Sequence, residues 1–504
     1  MFESIVSGLA LAFTPMNISL AFLGTLLGVI FGALPGFSAT MGVAVMIPVT
    51  YGMSAAGGLI LLVGVFCGAY YGGAISAILL RTPGTPAAAA TVIDGYEMTK
   101  KGQAYEALIE AAVASFWGGT LSILALFLLA PPLASFSLKF GPMETFLVAI
   151  FGLTIIASLS GGNMLKALIS GAFGLLLGTI GLDGLSGFER YTFGVIYFQT
   201  GLGIIPVLIG LFSISQLLVM VSDMSHSIVD TSAIKSVKSK RFSFKDMFYY
   251  PITYLRSGII GIIVGIIPGA GGNIASFIGY NEARRASKTP DEFGKGCREG
   301  VAAAEAANNG VTGGAMIPLL TLGIPGNTTT AVLLGGLMIK GLVPGHSLFT
   351  THGTITYGVF FGMALCNVFF LIIGVTCAKY FANVARTPIN ILAPVIAILC
   401  VLGSFAISNY IVDVYVMCFF GVVGFLMHRF KYDTVPLVLG IILGPIAEGG
   451  LVMGIQIYRG LQPALLIILK RPICIVLLVI IAVSLFVPLW RSMREKKKAA
   501  ANHQ

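Results

Sequence analysis

The sequence predicts an all-α polytopic membrane protein built from two internal repeats, and three observations predict it. Of 504 residues, 57% are hydrophobic and only 10% are charged, against about 25% charged in a soluble domain. The apolar runs are long and continuous, as membrane-crossing helices require, not short and alternating as in barrel strands. The third observation is a repeated punctuation. Gly32-Ala33-Leu34-Pro35-Gly36 closes one apolar run and Gly265-Ile266-Ile267-Pro268-Gly269 closes another 233 positions later; Thr82-Pro83-Gly84-Thr85 and Ile324-Pro325-Gly326-Asn327 follow in the same order, 242 apart. Matched interruptions of this kind mark carriers in which broken helices from two repeats meet near mid-membrane.

The elements follow in order. An apolar run from 18 to 34 stops at Pro35-Gly36, and a second, 57–80, stops at Pro83-Gly84. A polar turn from Asp94 to Gly102 comes next, then apolar stretches near 106–130, 143–159, 164–182 and 201–221. The serine-rich, basic segment 222–256 reads as a linker. The second half restarts at Ser257, breaks at Pro268-Gly269, crosses a polar stretch, and runs from Val301 to the break at Pro325-Gly326; five more apolar stretches end near 490. This divides the chain into a first transmembrane repeat (1–221), a basic cytoplasmic linker (222–256), a second transmembrane repeat (257–460), and a last helix with a basic cytoplasmic tail (461–504). At ~20 residues per crossing, roughly 11–13 crossings are expected. The segments after each break are half-helices or re-entrant hairpins, and the repeats are expected to be inverted, by analogy with other ion-coupled carriers.

The net charge of +10 does not indicate nucleic acid, because much of the excess sits in Lys235, Lys238, Lys240, Arg241 and Lys245 of the linker and in Arg491, Arg494, Lys496, Lys497 and Lys498 of the tail. Basic residues in short loops stay cytoplasmic, which places both segments inside; the tail is also suited to contact anionic membrane lipid. The seven cysteines show no metal-ligand spacing and read as small hydrophobes. With no basic residue ahead of its apolar stretch, the N-terminus does not read as a cleaved signal.

Chemistry enters at the breaks. Proline in an apolar helix deletes one backbone donor and frees an upstream carbonyl, and in lipid such groups survive only inside protein or beside a polar cavity. A half-helix N-terminus then offers free N–H groups and partial positive charge to an anion. Asn327, Thr328, Thr329 and Thr330 follow one break, Thr85 another; they either cap the half-helices or bind a carboxylate or cation, and the two roles compete for the same N–H groups. Glu305, Asn308, Asn309 and Thr312 share one helical face among small residues. A carboxylate at membrane depth is a functional candidate by default, as a proton carrier or a cation ligand; the competing reading puts this helix at the surface with Glu305 in water. Arg81, beside Thr82-Pro83, either attracts a carboxylate or snorkels to the interface. Glu448 reads as interfacial, and Asp94 as part of a cytoplasmic turn. No catalytic or phosphate-loop motif is present, so neither an enzyme nor a self-powered ATPase is expected.

These residues resemble the large membrane subunit of tripartite tricarboxylate transporters, the TctA-like family. The resemblance is strongest over Gly265–Pro344, including Gly265–Gly271, Glu299–Ala303, Glu305–Asn309 and Gly313–Gly326, and continues in the first half at Leu34–Gly36, Tyr71–Gly73, Pro83-Gly84 and Asp94–Tyr96. It implies a cation-driven importer of tricarboxylates or dicarboxylates in a bacterial inner membrane, working with a periplasmic solute-binding protein and a small four-helix membrane subunit. It also implies no cofactor beyond a co-transported Na⁺ or H⁺. The family's Pro-Gly regions carry over as the substrate site: Pro35, Gly36, Pro83, Gly84, Pro268, Gly269, Pro325 and Gly326, with neighbours Ser38, Thr82, Thr85, Gly271, Gly272, Asn273, Asn327, Thr328 and Thr329. Glu305, Asn308 and Asn309 are the expected ion-coupling group, and Arg81 the expected charge partner. The chain departs from the family's pattern at Arg81, Ala304, Lys340 and residues 37–40. A passive anion channel or membrane scaffold, and an intramembrane enzyme using Glu305, are the rival readings.

Overall fold

The computed structural model describes residues 1–159, 164–183, 186–222, 242–384, 389–457 and 468–501. It is helical almost throughout. The helices are α1 (Phe2–Ala12), α2 (Pro15–Ala33), α3 (Ala39–Met46), α4 (Ala55–Leu80), α5 (Thr91–Lys100), α6 (Ala104–Ser137), α7 (Pro142–Leu159) and α8 (Met164–Gly178). A two-residue hairpin, β1 (Gly181–Leu182) with β2 (Glu189–Arg190), interrupts them. Then come α9 (Ile196–Gln199), α10 (Ile204–Leu208), α11 (Ser215–Ser222), α12 (Pro251–Ile266), α13 (Gly271–Ala286), α14 (Arg298–Leu322) and α15 (Thr328–Ile339). The chain ends with α16 (His346–Thr350), α17 (Gly353–Val384), α18 (Ile389–Ser408), α19 (Ile411–Arg429), α20 (Thr434–Ile457) and α21 (Pro472–Ala501). Of the linker's basic residues, Lys235, Lys238, Lys240 and Arg241 lie outside the described residues.

Among the described residues eight helices are long and apolar enough to cross a membrane, and α1, α8, α12 and α15 are shorter apolar helices. The interruptions cut runs such as α12 and α15 short, and α14 carries Glu299, Glu305, Asn308 and Asn309 along its length.

Contacts group the chain into two units, one of Met1–Ala134 with Ile205–Phe425, the other of Ser135–Ile204 with Leu426–Gln504. Each draws on both sequence halves. In the second unit α20 packs on α7 and α8. Glu144 is buried against Arg471 at 2.7 Å. Glu448, read from sequence as interfacial, pairs with Arg190 beside a cavity of about 520 Å³.

The first unit contains all four breaks, and its helices pack through small residues. Thr14 caps α2 and Pro15 occupies its first turn, where proline's missing N–H costs nothing. A Cβ added at Gly24, Gly28 or Gly32 would lie 2.3–2.4 Å from the carbonyl oxygens of Leu61, Val65 and Ala69. Backbone-to-backbone contact of this kind supplies the dispersion energy that holds helices together in lipid, where the hydrophobic effect offers none. The register rises together on both helices, so α2 and α4 run parallel. Residues 34–54 consequently return the chain to the side from which α2 set out. In the second half Gly261 meets Ala307 and Gly265 meets Val311 and Ala315, so α12 and α14 are parallel too. The two arrangements share offsets: Gly28 and Gly32 stand 233 positions before Gly261 and Gly265, and Gly68 and Gly72, which close on α2, stand 242 before Gly310 and Gly314, which close on α12.

Gly28→Val adds a Cβ, which would lie 2.4 Å from the Val65 carbonyl oxygen, and two methyl groups beyond it. It is expected to destabilise the protein by about 1–3 kcal/mol, read as a lowered melting temperature in detergent. Gly52→Ala, where an added Cβ meets nothing within 4 Å, should leave the melt unchanged.

Candidate functional site

The first break of each half has the same local cause. Leu34 and Ile267, preceding Pro35 and Pro268, are extended at φ −83°, ψ 119° and φ −80°, ψ 112°, the conformation a following proline imposes. Gly36 and Gly269 then turn the chain at φ 84° and 83°, a left-handed region that only glycine enters freely. At the second pair of breaks α4 ends on Arg81 at φ 58°, ψ 13°, and α14 ends on Gly323 at φ 72°, ψ 14°. A Cβ on Gly84 would lie 1.8 Å from the Gly32 carbonyl oxygen, and one on Gly326 2.5 Å from that of Gly265. Each second break is thus seated on the end of the helix that carries the first. Gly269 N donates to Gly326 O at 2.9 Å.

The halves meet by exchange. The N-terminus of α3 reaches the N-terminus of α15, where the Thr40 hydroxyl bonds Thr328 and Thr329 at 2.8 and 3.0 Å. The N-terminus of α13 reaches the short 3₁₀ turn Pro86–Ala88 that follows the other break, with Gly272 against Ala87. Between them α4 and α14 cross antiparallel: Cys67 sits at Thr312, Tyr70 at Asn308 and Tyr71 at Glu305.

At the half-helix starts, capping and availability divide the residues. Ser38 caps α3 by accepting from Met41 N at 3.2 Å. Asn327 caps α15 through Oδ1, accepting from Thr330 N at 2.8 Å, and its Nδ2 is buried without a partner among the described residues. Thr85 Oγ1 is likewise buried and unpartnered among the described residues, and α13, with Ala270 at its N-cap, has no side-chain cap there. Ser38 and Gly271 are half-buried; Asn273 and Thr328 are exposed; Pro268, Pro325 and Thr329 are buried. Pro35 and Pro83 are half-buried, and Gly36 is exposed and gives its carbonyl to Gln216 at 3.3 Å.

Glu305 is fully buried, which decides against the surface reading of α14. Its Oε1 accepts from the Thr91 hydroxyl. Its Oε2 accepts from Ser115 at 3.1 Å, with the Asn309 and Asn308 amides at 3.4 and 3.5 Å. Asn309 also donates to Ser115 at 2.8 Å. Other buried carboxylates are compensated differently. Glu110 holds Arg298 and Tyr254, and Glu144 holds Arg471. Glu305 has hydroxyls and amides only, with no basic partner among the described residues. A buried carboxylate without a basic partner is expensive.

Two residues lie apart from this cluster. Arg81 is exposed and its guanidinium stands 5.9 Å from the Tyr96 ring centroid; Thr82 is exposed and donates to Leu80 O at 3.3 Å. Arg81 occupies a left-handed position whose counterpart 242 residues on is Gly323. Arg81→Gly is expected to stabilise the fold by about 1 kcal/mol through relief of that conformation, seen as a raised melting temperature.

The sequence did not single out Thr40, Tyr70, Thr91 or Ser115, because one hydroxyl in an apolar run carries no periodic signal. Asp94 is the larger miss. It lies within α5, not in a turn, and is fully buried. Its Oδ1 accepts from the backbone N–H groups of Gly294, Gly296 and Cys297 at 2.8–2.9 Å, and its Oδ2 from Tyr280 at 2.8 Å. One helical turn away, Thr91 reaches Glu305, so α5 ties the cluster to the 294–297 loop. Elsewhere Lys340 Nζ donates to the carbonyls of Thr50, Tyr51 and Met53 at 2.6–3.1 Å.

A family model described as tripartite tricarboxylate transporter TctA family matches residues 18–439. An uncharacterized 52.8 kDa protein in the TAR-I ttuC' 3'region of Agrobacterium vitis is 36% identical over 497 residues, 98% of either chain. An uncharacterized protein in the TAR-II ttuC' 3'region of the same organism is 33% identical over 237 residues, 47% of this chain and 97% of its own. No solved structure matches the chain.

Proposed function

The chain belongs to the tripartite tricarboxylate transporter TctA family, and on that premise we propose that it is the transporting subunit of a cation-coupled importer of small organic carboxylates. The single observation that carries this reading is the convergence of interrupted helices from both halves beside a buried carboxylate that has no basic partner among the described residues. The start of α13, which has no side-chain cap, suits an anion. A di- or tricarboxylate brings more charge than such termini neutralise, and a cation at Glu305, Asn308 and Asn309 compensates it. Downhill entry of Na⁺ or H⁺ then drives the acid inward.

The antiparallel crossing of α4 and α14, with equal offsets in the packing of α2 on α4 and of α12 on α14, supports inverted repeats. In that arrangement one hairpin enters from each side of the membrane and the site can face either way in turn. A periplasmic binding protein delivers the substrate and a small four-helix membrane subunit completes the complex in a bacterial inner membrane, with the basic tail of this chain in the cytoplasm.

The experiment is uptake of labelled di- and tricarboxylates into proteoliposomes holding the complete subunit set, under imposed Na⁺ or pH gradients. Saturable accumulation that collapses with one of the gradients supports the reading. Non-saturable flux indifferent to both would make the chain a passive channel, and chemically altered solute on recovery would make it an enzyme.

A further inference from the structure

The helices on either side of Pro268-Gly269 form a hairpin with one covered face and one open face. Both α12 and α13 turn small residues to α14, where Gly261 and Gly279 close on Ala307. The opposite faces are left open. Ile259 and Ile263 on α12, and Ile274 and Ile278 on α13, are 38–55% exposed. Ser257 lies against Gly279, the Cβ of one 3.6 Å from the Cβ position of the other. Arg256 therefore falls level with the last turns of α13, which hold Glu282, Arg284 and Arg285. These four are all the charged residues of the two helices, so three guanidinium groups face one carboxylate. Glu282 accepts from Arg285 Nη2 and Nε at 2.8 and 2.9 Å. Arg284 and Arg285 are exposed, and Arg256 is half-buried. The Arg256 Nε is buried with no acceptor among the described residues.

An apolar strip that ends in surplus guanidinium calls for a ligand with two parts. A buried N–H without an acceptor is costly, and arginine meets phosphate oxygens through several N–H groups at once. A small soluble anion would satisfy Arg256 and leave the isoleucines uncovered. A zwitterionic lipid would cover them but bring an ammonium group, which the surplus positive charge repels. We propose that the outer face of the α12–α13 hairpin binds an acidic phospholipid, with its phosphate on Arg256, Arg284 and Arg285 beside it, and its acyl chains along Ile259, Ile263, Ile274 and Ile278. The lipid is a second ligand, distinct from the carried solute, on the hairpin that holds one of the breaks.

The test is native mass spectrometry of the chain with its partner subunits, titrated in non-ionic detergent with dioleoyl phosphatidylglycerol, dioleoyl phosphatidylcholine and inorganic phosphate. Phosphatidylglycerol is expected to bind about tenfold or more tightly than phosphatidylcholine, and inorganic phosphate at the same concentration should not displace it. Arg256→Gln should weaken phosphatidylglycerol about fivefold and leave phosphatidylcholine unchanged. Where Arg256→Gln yields no folded protein, Arg284→Gln, at an exposed position, takes its place with the same expectation. Equal binding of the two lipids by the unmodified protein overturns the proposal without any variant. A preference that survives the folded variant overturns it too, because the acidic lipid then sits on another basic segment. Displacement by inorganic phosphate would make the face a small-anion site, and lipid binding that appears only in the absence of the partner subunits would make it a subunit interface; either result overturns the proposal.

Discussion

Glu305→Gln is expected to uncouple the protein. The amide keeps the size of the side chain and can still bond Thr91 and Ser115, so folding and substrate exchange should persist. What disappears is the charge that, on the proposed reading, meets a proton or cation. Coupling free energies between two ligands typically correspond to about 5- to 150-fold in affinity; gradient-driven accumulation should fall by a factor in that range, while exchange of labelled for unlabelled substrate at zero gradient survives. The readouts are the two fluxes in the same vesicles. Equal loss of both would assign Glu305 a structural part instead.

Asp94→Ala is expected to be the most damaging single change to the fold. It strands three backbone N–H groups, those of Gly294, Gly296 and Cys297, together with the Tyr280 hydroxyl. Each unsatisfied buried group costs about 1–3 kcal/mol, so the summed effect rivals the whole stability of an ordinary domain. Little monodisperse protein should survive detergent extraction. Asp94→Asn retains an acceptor for the loop amides and should recover most of the yield. Because Thr91 shares α5 with Asp94, even the Asn variant is expected to alter uptake more than a comparably mild surface change would. The measurements are size-exclusion profile, melting temperature and transport rate on the same preparations.

The breaks were legible because their cause is local. Proline forces the preceding residue out of the helical region and glycine accepts the left-handed turn, so Leu34–Gly36 and Ile267–Gly269 announce interruptions in any surroundings. The shared face of Glu305, Asn308 and Asn309 was legible for a similar reason, since helical periodicity is set by the backbone. The partners of that face were not. Thr91 and Ser115 lie more than 180 positions away from Glu305, and nothing in an alanine-rich run distinguishes a hydroxyl that reaches a carboxylate from one that bonds its own helix. Asp94 failed for a related reason: its flanking Gly95 and its nearness to Lys100 and Lys101 look like a turn, and the backbone amides it binds carry no sequence signature at all.

By itself the sequence determined that this chain lives in a membrane, where its helices stop, and which residues share a face, because hydropathy, proline sterics and the helical repeat act within a few residues of their source. Tertiary structure alone decided that α2 and α4 run parallel while α4 and α14 cross antiparallel, and that Glu305 is sealed from solvent with no basic partner among the described residues. Those facts depend on which backbones can approach closely enough to touch, a property of surfaces brought together from distant parts of the chain.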